Sequence, residues 1–243
     1  MQAWGLTDPG MVRSQNQDDY AIVKLGRDQL LAIVCDGMGG ARSGNIASRM
    51  AVEVFSDEVR RSVRFAMKQS RVDAMLRDAL ELANKAVYEQ SQLSEEYQGM
   101  GTTLVAAYFQ KDHVTVANVG DSRAYLVNRD GITGITTDHS LVELMVQRGE
   151  LTREAAKFHP GKNLITRAVG TETAVECDLF HHQLSRGDSV LLCSDGLSNI
   201  MSDQEILFEV VHGVNKNDCC QRLLKIANYR GSPDNVTVAL ISY

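Results

Sequence analysis

The chain reads as an α+β protein: two antiparallel sheets laid face to face, with a pair of helices on each outer side. Two features of its 243 residues carry that expectation. Short apolar runs bounded by turn residues mark strands, and some are joined by turns too short for a helical crossover, which makes the neighbours antiparallel. Between the strand runs the helical periodicities come in pairs, unlike the strict alternation of parallel-sheet proteins. No repeat, low-complexity stretch or linker rich in Pro, Gly or Ser interrupts the chain, so one domain over 1–243 is expected.

The strand runs are Leu30 to Cys35, Thr102 to Phe109, Val114 to Val119, Ala124 to Val127, Ser189 to Cys193 and Val236 to Ile241. The turns at Lys111-Asp112 and Gly120-Asp121-Ser122 predict hairpins on both sides of Val114 to Val119. Ile46, Met50 and Val54, beside Ala47, Ala51 and Phe55, repeat every four residues as one helix face. Val72, Met75, Leu76, Ala79, Leu80, Ala83 and Val87 keep the period for a second helix, with Ser70 and Asp73 as its start signal. A later pair opens at Ser202-x-x-Glu205 and at Asn217, and Gly213 and Gly231 stand where helix-ending glycines belong.

Residues 138–170 break this pattern. Ser140-Leu141-Val142-Glu143 forms a capping box, Gly149 ends the short helix it starts, Thr152 starts another, and His159-Pro160 stops that one. Position in the sequence alone fits a surface decoration as well as it fits a lid.

A formal charge of −6 argues against a nucleic-acid partner. The five cysteines lack zinc-type spacing, and Cys35 and Cys193 fall inside apolar runs, which points to free thiols in a reducing cytosol. No secretory pattern opens the sequence and no apolar run reaches bilayer-spanning length, so a cytoplasmic protein without membrane insertion is expected.

The chemistry concentrates at four aspartates on strand tips: Asp36-Gly37-Met38-Gly39-Gly40, Gly120-Asp121-Ser122-Arg123, Ser194-Asp195-Gly196-Leu197 and Pro233-Asp234-Asn235-Val236. An Asp-Gly pair alone is usually a turn. Several carboxylates delivered to one spot repel unless a cation holds them, and an all-oxygen donor set suits Mg²⁺ or Mn²⁺. Two such ions activate water for in-line attack on a phosphoester, and a guanidinium is the natural clamp for the phosphoryl group. Upstream of the first aspartate lies Val12-Arg13-Ser14-Gln15-Asn16-Gln17-Asp18-Asp19.

Together these phrases, with Gly99-Met100-Gly101-Thr102-Thr103, Asp138-His139-Ser140 and Asp234-Asn235-Val236-Thr237, resemble in order the metal-dependent protein phosphatases of the PPM (type 2C) family, in its bacterial serine/threonine branch. The resemblance spans essentially the whole chain. It implies a four-layer α-β-β-α sandwich with two Mn²⁺ or Mg²⁺ ions between the sheets. Asp36 would bridge the ions, the Gly37 carbonyl would meet the second, and Asp195 and Asp234 would complete the first. Asp18 would hydrogen-bond water at the metals, Arg13 would hold the substrate phosphate, and Asp121 would bear on a weaker third ion. Residues 138–170 become a flap, with His139 and Ser140 at its start and Arg148 and Arg153 facing a phosphoprotein. A monomer is implied, opposed by a eukaryotic-like serine/threonine kinase. Three positions depart from the pattern: Gln17 for an acidic residue, Asn199 for an aspartate, and Met38 for a histidine that serves some relatives as leaving-group acid. The remaining histidines, His113, His159, His181, His182 and His212, are assigned to no metal.

Overall fold

In the computed structural model, which describes residues 1–39, 43–213 and 215–243, two antiparallel sheets face each other. One sheet orders β1 (Gln2–Asp8), β11 (Val236–Ser242), β10 (Ser189–Cys193), β7 (Arg123–Asn128) and β8 (Gly131–Gly134). The other orders β2 (Asp18–Gly26), β3 (Gln29–Met38), β5 (Leu104–Gln110), β6 (His113–Val119) and β9 (Asp178–Gln183), with the two-residue β4 (Gly101–Thr102) paired to β3. Helices α1 (Gly44–Ser62) and α2 (Gln69–Ser91) cover the outer face of the second sheet. Helices α6 (Asp203–His212) and α7 (Cys219–Tyr229) cover the first. The four-layer α-β-β-α order is thus present.

Strand periodicity explains both the layers and the position of the site. On β3, Leu31, Ile33 and Cys35 pack toward α1 and α2, while Leu30, Ala32 and Val34 pack between the sheets. The next residue on the inter-sheet face is Asp36. On β10 and β11, Leu192 and Ala239 lie between the sheets, and continuing that alternation brings Ser194 and Thr237 to the same face and the same end. The apolar filling between the sheets therefore gives way at one end to carboxylates and hydroxyls.

Two strand expectations are corrected. The Gly120-Asp121-Ser122 turn is not a hairpin: β6 and β7 belong to different sheets, and the turn carries the chain across the sandwich. Its glycine has φ +105°, and a Cβ there would lie 2.6 Å from Thr103. Strands β1, β2, β8 and β9 fall outside the six runs singled out in the sequence, and they are the four sheet edges. An edge strand pairs on one side only and tolerates the mixed polarity of Asp178–Gln183 or Gly131–Gly134.

Helix ends differ in detail. The start of α2 is capped by Lys68 backbone geometry rather than by Ser70 and Asp73. The Ser202–Glu205 capping box forms in full, whereas at Ser140 only one half forms, Glu143 N–H donating to the serine hydroxyl. The helical path near Asn217 begins at Asn215, whose side chain caps a 3₁₀ turn before α7. Gly231 ends α7 with φ +77°, as expected, but Gly213 has φ −59°. Its role is space: a Cβ there would lie 2.5 Å from the Glu209 carbonyl oxygen. All five cysteines are free and buried. No described helix is long and apolar enough to cross a membrane.

The return from residues 138–170 to the sandwich is secured by buried Asn84 of α2. Its Oδ1 accepts from Gly170 N–H at 2.7 Å and its Nδ2 donates to the Glu172 carbonyl at 3.0 Å. Asn84→Ala orphans both backbone groups, so it should cost about 2 kcal/mol and lower Tm by about 5 °C in a thermal melt. An unchanged Tm would show that solvent replaces the amide.

Candidate active site

Asp36 is fixed by its backbone before its side chain does anything. Its N–H donates to Thr103 Oγ1 at 2.9 Å, and its carbonyl accepts from Thr103 N–H and Thr102 Oγ1, both at 2.9 Å. Asp18 stands directly opposite Asp36 in the β2–β3 ladder. The Asp18 Oδ2 accepts from Ser194 Oγ at 2.7 Å and Thr237 Oγ1 at 2.6 Å, both from the facing sheet. Its Oδ1 is buried without a hydrogen-bond partner.

Asp195 is the first residue of the short α5 (Asp195–Ser198). Its Oδ2 accepts from Asn199 Nδ2 at 2.9 Å, and its Oδ1 is likewise buried without a partner. Gly196 is required beside it, because a Cβ there would lie 2.0 Å from the Asn235 carbonyl oxygen. Asp234 Oδ2 accepts from Arg13 at 3.0 Å. The Gly37 backbone packs against Gly44 at the start of α1, and its N–H donates to the Gln17 carbonyl at 3.0 Å. Gly40 lies outside the described residues.

Burial and mutual repulsion set the electrostatics. Burial pushes the Asp18 carboxyl up to about 7 against the pull of Thr237 and Ser194, and the Asp195 charge adds to the rise. Burial also raises Asp36 well above the usual carboxylate range, with Asp18, Asp195, Asp121 and Asp234 all repelling its charge. Asp121 rises to about 7, first through burial and then through Asp195 and Asp138. Asp195 is raised by burial and by Asp234. Asp36 and Asp195 are surrounded by protein yet keep partial solvent exposure.

The orphaned oxygens of Asp18 and Asp195 fit an oxygen-seeking cation. Among the described residues no three His, Cys, Asp or Glu groups stand together as a ready-made metal-holding group. A Mg²⁺ or Mn²⁺ site that keeps several waters and a backbone carbonyl does not need one.

The loop bearing Arg13 is tied down by Asn235, one residue past Asp234. Asn235 Nδ2 donates to the carbonyls of Pro9 and Gln15, both at 2.9 Å, and its Oδ1 accepts from Gln17 N–H at 2.8 Å. Arg13 itself remains half exposed at the mouth.

The root of the 138–170 excursion is a polar clamp around Asp121. Arg123 makes a two-pronged ion pair with Asp138, closest at 2.7 Å. Buried His139 accepts from Gly120 N–H at Nδ1 (3.0 Å) and meets Asp178 at Nε2 (3.2 Å). Burial lowers its pKa, and the Arg167 guanidinium also reaches Nε2 at 3.1 Å. The excursion holds α3 (Leu141–Gln147) and α4 (Arg153–Ala156), neither with a buried residue, so Leu141, Val142, Leu144, Met145 and Leu151 are at most partly covered. Arg153 pairs with Glu143 at 3.2 Å, and Arg148 is exposed. Between these helices and α5–α6 opens a cleft of about 940 Å³, lined in part by Asp121, Asp138, Asp195, Arg153 and Lys157.

The structure thus brings Asp18, Asp36, Asp121, Asp195 and Asp234 to one end of the sandwich, with Arg13 at its rim. It adds residues to which the sequence reading gave no role: Ser194, Thr237, Thr103 and Asn235. All sit inside the quoted phrases: Ser194 and Asn235 adjoin an aspartate, Thr237 stands three residues past Asp234, and Thr103 has no aspartate near it in sequence to signal its role.

Comparison with known proteins agrees with this geometry. The family described as protein phosphatase 2C matches residues 12–225. The chain is 37% identical to the serine/threonine phosphatase stp of Listeria welshimeri, covering 99% of this chain and 95% of that one. The S. agalactiae serine/threonine phosphatase structure superposes with a TM-score of 0.93 at 39% identity, covering 99% and 98% of the two chains. Stp1 from Staphylococcus aureus gives 0.93 at 37% identity, covering 100% and 94%. The chain belongs to the protein phosphatase 2C family, in its bacterial serine/threonine branch.

Proposed function

We propose that this chain hydrolyses phosphoserine and phosphothreonine on proteins at a site where Asp36, Asp195, Asp234 and the Gly37 carbonyl hold two Mn²⁺ or Mg²⁺ ions, with Asp121 beside a weaker third. The observation that carries this reading is the pair of buried, partnerless carboxylate oxygens on Asp18 and Asp195 inside a group of mutually repelling aspartates. When bound, the ions polarise the phosphoryl oxygens and activate water for in-line attack. The whole of 1–243 then acts as one catalytic unit with 138–170 as its flap. A cytoplasmic monomer is the corresponding form, and an opposing eukaryotic-like serine/threonine kinase would supply its substrates.

The side chains divide the remaining work. Arg13 binds the phosphoryl group with its planar fork, leaving Asp234 to the cations. Asp18, held by Ser194 and Thr237, presents its free Oδ1 to water in the site. Asn199 occupies one oxygen of Asp195 and so weakens what Asp121 and Asp195 offer together. Met38 carries no proton and both nitrogens of His139 are engaged, so the leaving alkoxide takes its proton from solvent admitted by the cleft.

The direct test is hydrolysis of a phosphothreonine peptide. EDTA should abolish it and excess Mn²⁺ restore it, and Asp36→Asn should lose on the order of 10³-fold in kcat. Near-normal turnover by Asp36→Asn would remove the bridging role.

The raised carboxyls give a second test, read without activity. A carboxyl whose folded pKa exceeds its unfolded value stabilises the fold while protonated, below about pH 4, and loses that contribution as pH rises through the folded pKa. With Asp18 and Asp121 at about 7, Tm in EDTA should fall by about 5 °C or more between roughly pH 5 and 8. Mn²⁺ should suppress the fall, and a metal-independent pH profile would contradict the site.

For the flap, Arg148→Ala combined with Arg153→Ala should lower kcat/KM for a phosphoprotein several-fold, about 1 kcal/mol, while leaving a small aryl phosphate unaffected. Equal losses on both substrates would mean that the flap shapes the metal site instead.

A further inference from the structure

The connection between α1 and α2 is unlike the rest of this acidic chain. Residues 59–72 carry five cations, Arg60, Arg61, Arg64, Lys68 and Arg71, and no carboxylate. All five are exposed. Arg60 pairs with Asp57 at 3.3 Å, while among the described residues the other four meet no carboxylate. At the tip stands Phe65, an aromatic side chain 85% exposed.

The tip is built rather than loose. Gln29 Nε2 donates to the Arg64 carbonyl at 2.8 Å. Gln110 Nε2 donates to the Met67 carbonyl at 2.8 Å, and Met67 N–H donates back to Gln110 Oε1 at 2.9 Å. Two glutamines from neighbouring strands thus hold both shoulders of the turn. Between them Ala66 takes a left-handed conformation, φ +52°, unfavourable for a residue with a Cβ. The backbone is fixed in a form that turns Phe65 outward, although an apolar ring gains nothing from water.

We propose that this end of the molecule adsorbs to an anionic phospholipid surface, with Phe65 entering the interface and the surrounding cations meeting the headgroup phosphates. A convex tip with one projecting ring inside a basic collar suits a plane of headgroups, where aromatics and cations each find their preferred depth. A peptide ligand would need a groove or a free strand edge to lie along. The acidic remainder of the chain is repelled by the same surface, which orients the adsorbed molecule. Helix α1 begins beside Gly37 and runs 19 residues to this turn, about 28 Å. Adsorption therefore leaves the aspartate cleft facing away from the lipid. This inference is independent of the catalytic reading.

The test is co-sedimentation of the full chain with vesicles of phosphatidylcholine alone or with about one-third phosphatidylglycerol. Binding to the anionic vesicles only, released by about 0.5 M NaCl, is expected. Arg61→Glu with Arg64→Glu should lower the partition coefficient about 10-fold or more, and Phe65→Ala several-fold. Both variants should keep the wild-type Tm and the wild-type rate on a small aryl phosphate. No binding to anionic vesicles, binding that these variants leave unchanged, or retention on polyglutamate without vesicle binding would each overturn the proposal.

Discussion

The structure turns on Asp18, a carboxylate from one sheet held by two hydroxyls from the other. Ser194 and Thr237 reach across the sandwich to a single oxygen, so the two sheets are joined by hydrogen bonds where their apolar filling ends. That bond network forces negative charge into the interior, and the other aspartates compound it. A group of this kind is costly in the free chain and satisfied only by positive charge. Stability and chemistry are therefore set by the same atoms: whatever cation quiets the repulsion also equips the site. On the proposed reading, the fold gives up stability in exchange for affinity toward a cation.

How much of this was legible in the sequence follows from where each residue lies. Central strands such as Leu30 to Cys35 declare themselves because both faces are buried and every side chain must be apolar. The edges β1, β2, β8 and β9 do not, since half of each pairs with nothing. The turn at Gly120-Asp121-Ser122 misleads for a related reason: its length is that of a hairpin, and only the partners of β6 and β7 reveal the crossing. The aspartates could be read from their glycine neighbours, which open room for backbone approach. Ser194, Thr237 and Asn235 could not be assigned roles, because a hydroxyl or amide near a strand tip looks the same whether it meets water or a distant partner: Thr237 meets Asp18 across 219 positions, and Asn235 meets the backbone of Pro9, Gln15 and Gln17.

The flap illustrates the same division. Its helices were plain from Ser140, Gly149 and Thr152, and the structure keeps them. Its attachment was not plain, because nothing in Asp138-His139-Ser140 shows which partners the structure gives that polar root. Arg123–Asp138 and His139 fasten the base, while α3 and α4 rest on the body with partial burial. A segment fixed at its base and lightly packed along its length can tilt without unmaking a core, and its base grips the turn that carries Asp121.

The cysteines have a consequence of their own. Burial pushes Cys177 and Cys219 up to about 11 and Cys193 and Cys220 up to about 12, and raises Cys35 well above the ordinary thiol range. All five stay protonated at neutral pH and shielded from solvent, so peroxide and alkylating reagents meet no exposed thiolate. On the proposed mechanism, in which water attacks phosphorus, a phosphatase with its sulfur locked away goes on erasing phosphate marks under oxidative stress, when enzymes that attack with a thiolate fall silent.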